Sequence, residues 1–98
     1  MHFSVKVLKA LGDETRLKIL EFLKDEEKCV CEIVPYIGTS QSNVSQHLRI
    51  LKDANLVTDR REGRSTYYSI VDERIFDCLE ILARVAEDGM KRLLEVYR

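Results

Sequence analysis

Between residues 40 and 54 the apolar positions are Val44, Leu48 and Leu51, the three-and-four spacing of one helical face. The opposite face carries Gln41, Ser42, Ser45, Gln46, His47 and Arg49. Gly38 is suited to stop the preceding helix, and Thr39 or Ser40 to cap this one. The segment 31–54 therefore predicts a helix-turn-helix whose second helix presents side chains that reach base edges and phosphates. Asn55 is suited to a left-handed residue just beyond that helix.

Upstream, Val5, Leu8 and Leu11 predict a short first helix over residues 4–11, ended by Gly12. Asp13 is the expected N-cap of a second, mostly buried helix carrying Leu17, Ile19, Leu20, Phe22 and Leu23. Arg16 stands where a capping box would need Glu or Gln. Residues 24–28 read as a solvated turn. Residues 29–37 read as a short extended piece that becomes a third helix. Pro35 sets its start near Cys31 or Glu32 and leaves Cys29 and Val30 outside, because a proline deep in a helix removes a bond and clashes with the preceding turn.

Downstream, two β-prone runs in residues 56–70 flank Glu62-Gly63, a hairpin signal. A hairpin directly after a recognition helix is a wing, and this one carries Arg60, Arg61 and Arg64. Tyr67 and Tyr68 are expected to pack it. Asp72 is placed to cap a long last helix with Ile75, Phe76, Leu79, Leu82, Ala83, Ala86, Met90, Leu93 and Leu94 on its apolar face and Gly89 as a point of bending. The predicted fold is mainly α with a β-hairpin wing, a winged helix-turn-helix, in one domain spanning residues 1–98.

Net charge is −1, which by itself argues against nucleic acid. Its distribution argues the other way. Residues 39–68 hold five basic and three acidic groups, a local +2. Residues 1–38 hold six and seven, and residues 69–98 hold five and seven, local charges of −1 and −2. Positive charge gathers where DNA is expected. The excess is modest and suits a dimer that doubles its contacts. Within the groove the expected base readers are Gln41, Ser42, Gln46 and His47, with Asn43 and Ser45 beside them. Thr39, Ser40 and the amides of the first turn meet phosphate. Arg49 and Lys52 approach the backbone, and Arg60, Arg61 and Arg64 clamp the neighbouring backbone or minor groove.

No apolar run approaches the roughly 18 residues of a membrane span, and no secretory leader is visible, so a cytoplasmic protein is expected. Three cysteines, two of them as Cys29-Val30-Cys31, do not form a disulfide framework; a metal or redox role is the more natural expectation.

With these residues in view the chain resembles the arsenic-repressor (ArsR/SmtB) family of winged-helix transcriptional regulators over roughly residues 4–95. Four stretches carry the resemblance: 10–20 (Ala10 to Leu20), 29–33 (Cys29 to Ile33), 40–48 (Ser40 to Leu48) and 51–57 (Leu51 to Val57). The resemblance implies a homodimer built from the first and last helices, residues 1–12 and 72–98. It implies recognition helices in the major grooves of an inverted repeat of double-stranded DNA. It also implies an effector, commonly a metal or metalloid ion, that weakens DNA binding. The last helix independently offers more apolar surface than so short a chain covers alone.

Cys29 and Cys31 match the Cys-Val-Cys of the family's arsenic- and cadmium/lead-type members, and thiolates suit As(III), Cd(II), Pb(II) or Zn(II). None of these ions is expected to be required for folding. Residues i and i+2 share a face in an extended segment but not on a helix, so the late helix start lets both thiols converge. Arsenic-type sites take a third cysteine where this chain has Val34, and cadmium/lead-type sites take cysteines from an N-terminal extension that here holds only His2. The last helix has no histidine for a zinc-type site. Cys78 is a small buried hydrophobe or a third ligand. A thiol redox switch is the alternative; two-residue spacing makes an internal disulfide strained, which favours an inter-protomer bond or a sulfenic acid. An inert remnant is the third reading. No catalytic constellation is present, so an enzyme is not expected. The remaining rival is a winged helix used as a protein-interaction module, a class that usually lacks a polar recognition face and an arginine wing.

Overall fold

A computed structural model describes residues 2–97. The order is α1 (His2–Leu11), α2 (Glu14–Phe22), β1 (Lys28–Cys29), α3 (Val30–Ile37), α4 (Gln41–Asp53), β2 (Val57–Glu62), β3 (Ser65–Ile70) and α5 (Arg74–Val96). The strands form one antiparallel sheet in the order β1-β3-β2. This is the winged helix-turn-helix expected from the sequence. No helix among the described residues is long and apolar enough to cross a membrane.

Local chemistry sets the boundaries. Asp13 is extended and its carboxylate accepts the Arg16 N–H at 3.0 Å, capping α2. That bond, followed by the charge of Arg16, holds the Asp13 carboxyl below its ordinary value of 3.8. Asp13→Ala is expected to cost about 1 kcal/mol of stability at pH 7. A depressed folded-state pKa means the contribution is present above the ordinary value and lost as pH falls through the folded one. Urea melts of both proteins should therefore converge on acidification. Gly38 ends α3 at φ 83° and Asn55 follows α4 at φ 59°, both left-handed, as the sequence predicts.

The core is built by Ile19 and Leu20 of α2 with Leu23 at its C-cap, Ile33 of α3, Val44, Leu48 and Leu51 of α4, and Leu56 and Val57 where the wing begins. These side chains fix α4 to the body by its apolar face and leave its polar face outward. Some expectations shift. Leu17 is not part of the buried set; it is 37% exposed. Val5 and Leu8 point outward, and α1 packs through Ala10, Val7 and Leu11 instead. α3 begins at Val30, a residue earlier than expected, because Cys29 rather than Val30 supplies the cap. Pro35 lies inside α3, where it deprives the Cys31 carbonyl of a helical donor. The tight turn is Gly63-Arg64, one residue later than expected, with Glu62 paired to Ser65. Gly63 at φ 61° permits it. Asp72 caps α5 from one residue further out, accepting the Arg74 N–H at 3.0 Å. The Arg74 guanidinium and N–H bring the Asp72 carboxyl down to about 2. α5 runs on through Gly89 as one helix.

α5 barely touches the rest. It contributes no buried residue, and only Ile75 and Phe76 pack on the core. Leu82, Val85, Met90 and Leu93 are each more than half exposed. The radius of gyration is 15.7 Å, against about 13 Å for a compact chain of this length. The excess comes from this projecting apolar helix.

Candidate nucleic-acid interface and thiol pair

Ser40 caps α4 through its Oγ, which accepts the Asn43 N–H at 3.1 Å. The Asn43 side chain donates to Thr39 Oγ1 at 3.1 Å. Thr39, Ser40 and Asn43 are thus spent on building the turn, and what they leave free is backbone. Gln41, Ser42, Ser45, Gln46 and Arg49 are exposed together on the outer face. Side-chain hydrogen bonds from these five are absent among the described residues, so their donors and acceptors are open to a partner.

His47 departs from the sequence expectation. It turns inward, half-buried, toward the junction of α1 and α2. Its Nδ1 accepts from Arg16 Nη1 at 3.2 Å and lies 3.7 Å from Asp13 Oδ2. Arg16 also donates through Nε to the Ala10 carbonyl at 2.6 Å and through Nη2 to the Lys9 carbonyl at 3.2 Å. One guanidinium therefore ties the end of α1 to the recognition helix. Position 47 falls within three and four residues of the apolar stripe at Val44, Leu48 and Leu51, which is the sequence signal that was available. His47→Ala is expected to lower stability by about 1 kcal/mol while leaving base preference unchanged. Chemical denaturation and a competition assay over varied duplexes measure the two separately.

The wing arginines divide. Arg60 donates to both oxygens of Glu27 and, at 2.8 Å, to Glu62 Oε2, and stacks 4.7 Å from the Tyr67 ring centroid. The two carboxylates raise its pKa further and neutralise its charge. Lys52 is likewise paired, 2.9 Å from Asp59 of β2, which raises its pKa. Arg61 and Arg64 make no ion pair among the described residues and are exposed. Arg60 and Lys52 hold the wing to the body, and Arg61 and Arg64 are the wing cations left for phosphate. Glu27 lies in the run read as a solvated turn; nothing in the sequence connects it with a residue 33 positions away.

Cys29 sits at the junction of β1 and α3, 4% exposed, with its neighbour Tyr67 across the ladder in β3. Its Sγ accepts the Cys31 N–H at 3.0 Å, and its own N–H donates to Glu32 Oε1 at 3.1 Å. That reciprocal pair is a capping box with sulfur in the usual place of a hydroxyl. Cys29 and Cys31 are joined as a disulfide, with Cα atoms 5.0 Å apart. The sequence disfavoured an internal bond. The extended Cys29 followed by a first helical turn brings the Cα atoms into the ordinary disulfide range. Cys78 is unpaired and exposed on α5, not buried. No group of three or more His, Cys, Asp or Glu side chains among the described residues is placed to hold a metal. The pair offers two soft donors when reduced, and no third stands with it among the described residues, so three-thiolate and tetrahedral sites do not fit there.

The pair borders an open groove of about 450 Å³. Cys31 lies on one wall, Gln41 and Ser45 of α4 on another, and Arg64 and Thr66 of the wing close it.

Comparison with known proteins agrees with this geometry. The sequence model described as "Bacterial regulatory protein, arsR family" matches residues 13–59. An HTH-type transcriptional regulator of Methanocaldococcus jannaschii is 39% identical over 80 residues, covering 81% of this chain and 90% of that one. The "Probable mercury resistance operon repressor" of Streptomyces lividans is 37% identical over 90 residues, covering 92% and 72%. The homodimeric winged helix-turn-helix DNA-binding domain of a possible ArsR-family regulator from Mycobacterium bovis superposes with a TM-score of 0.79 at 32% identity, covering 93% and 84%.

Proposed function

The chain belongs to the arsR family of bacterial regulatory proteins and is a DNA-binding transcriptional regulator; from that membership we propose that it is a homodimeric repressor whose hold on an inverted-repeat operator is governed by the Cys29/Cys31 pair. The observation that carries the DNA reading is the unpartnered outer face of α4, with Gln41, Ser42, Ser45, Gln46 and Arg49 exposed and Arg64 of the wing lining one groove with Gln41 and Ser45. Gln41, Ser42 and Gln46 read bases. The first-turn amides hold phosphate, and Arg49, Arg61 and Arg64 hold the backbone to either side. Arg64→Ala is expected to lower the salt dependence of binding by about one counterion, and Arg60→Ala to leave it nearly unchanged. Binding isotherms at several salt concentrations measure both slopes. The exposed apolar residues of α5, with Phe3, Val5 and Leu8 of α1, form the dimer face.

The effector acts on sulfur. The pairing of the two sulfurs supports a reversible disulfide. With a hydroperoxide as oxidant, the exposed Cys31 thiolate attacks the peroxide oxygen. The O–O bond breaks, an alcohol or water leaves, and Cys31 becomes a sulfenic acid. The Cys29 thiol then attacks the Cys31 sulfur, the S–S bond forms and water departs. Two electrons pass from the sulfurs to the peroxide. A thiophilic ion, As(III), Cd(II), Pb(II) or Zn(II), is the second reading. The mercury-resistance relative favours a thiophilic metal in general, and any of these ions needs donors beyond the pair, none of which stands beside it among the described residues. The experiment is a titration of DNA-bound protein with peroxide and with each ion, alongside Cys29→Ser/Cys31→Ser. Release by peroxide alone, lost in the variant, supports the disulfide. Release by one ion alone supports the ion, and release by neither removes the thiols from the switch.

A further inference from the structure

We propose that Cys31 lies inside the DNA-binding groove itself, so that DNA and any adduct on the Cys31 sulfur exclude one another by direct occupancy, and that the natural adduct is a mixed disulfide with an anionic low-molecular-weight thiol. This rests on the reading of α4 and the wing as the DNA surface. The groove beside Cys31 is lined by Gln41 and Ser45 of the recognition helix and by Arg64 and Thr66 of the wing, and on that reading Gln41, Ser45 and Arg64 face the duplex. Both α3 and α4 present their first turns to it, and helix N-termini together with an arginine favour an anion. A phosphate backbone entering there passes over Cys31, which is exposed, and not over Cys29, which is 4% exposed and held as the helix cap.

The chemistry follows from that asymmetry. The Cys31 thiolate attacks one sulfur of the oxidised small thiol. The new S–S bond forms on Cys31, and the other half leaves as a thiolate. Cys29 then attacks the Cys31 sulfur, expels the second half as its thiolate and leaves the internal disulfide. The adduct is thus an intermediate on the route to the bonded pair. It places bulk and carboxylates where phosphate must sit.

Cys29→Ser/Cys78→Ser keeps Cys31 as the single thiol and traps the adduct. Alkylation of Cys31 by iodoacetamide should slow at least about tenfold under saturating duplex DNA at low salt, where binding needs no operator sequence. In the wild-type reduced protein the rate at Cys78, on α5, should not change. Loading Cys31 with oxidised glutathione should weaken DNA binding at least about tenfold, and a methylthio group at the same sulfur much less, because occupancy scales with size. Equal alkylation rates with and without DNA overturn the proposal. So does equal DNA affinity of the glutathione adduct and the unmodified protein. Equal loss with the large and small adducts also overturns it, since that marks a conformational route. A wild-type protein that still leaves DNA on oxidation while the trapped adduct binds normally keeps the thiol switch and removes only this inference.

Discussion

Leu82→Glu/Leu93→Glu is expected to convert the proposed dimer to a folded monomer and to weaken operator binding by about 100-fold or more, the range lost when two linked sites act singly. Both side chains are more than half exposed on α5, and 11 residues of helix return them to one face. Neither belongs to the core, so the monomer's own packing is untouched. Two buried carboxylates facing each other across a two-fold interface have no partners, and desolvating them unpaired is costly. Sedimentation velocity should report half the mass with an unchanged helical spectrum. A dimer that persists places the interface elsewhere.

Gln41→Ala/Gln46→Ala is expected to lower discrimination between operator and random duplex while retaining the salt-dependent affinity for both. Each bidentate base contact is worth about 1–3 kcal/mol of discrimination, so losing two reduces the specificity ratio by about 30-fold or more. The two glutamines are exposed and make no side-chain bond among the described residues, so alanine there costs the fold little. Competition binding with operator and non-specific DNA separates the effects. An unchanged specificity ratio transfers the reading to Ser42, Ser45 or the wing. Loss of both affinities together marks a damaged helix.

Local signals in the sequence settled most of the architecture. Gly38, Ser40 and Asn55 stop or cap elements through their own backbone and side chain, and the stripe of Val44, Leu48 and Leu51 fixes which face of α4 is inward. The polar face was legible for the same reason. Its exceptions are long-range. His47 turns inward because Arg16 and Asp13 meet it 31 and 34 positions away in the chain, and Arg60 is held by Glu27 across the sheet. Charge type and position along the strand are the same for a paired arginine and a free one. The outward turn of Val5 and Leu8 was hidden differently: an apolar helical face has the same spacing whether it meets its own core or a second chain. At Cys29 the residue type misled. A cysteine takes the capping place of a serine there, and this draws the two sulfurs together.

The measurement that tests the account most directly is the DNA affinity of one preparation, fully reduced and then oxidised with peroxide, on the promoter fragment beside its own gene. Mass spectrometry would assign the bond in each state. Tight binding is expected when reduced, at least about tenfold weaker binding when Cys29 and Cys31 are joined, recovery on reduction, and no response in Cys29→Ser/Cys31→Ser. Equal affinity in both states, with the bond verified, would contradict it.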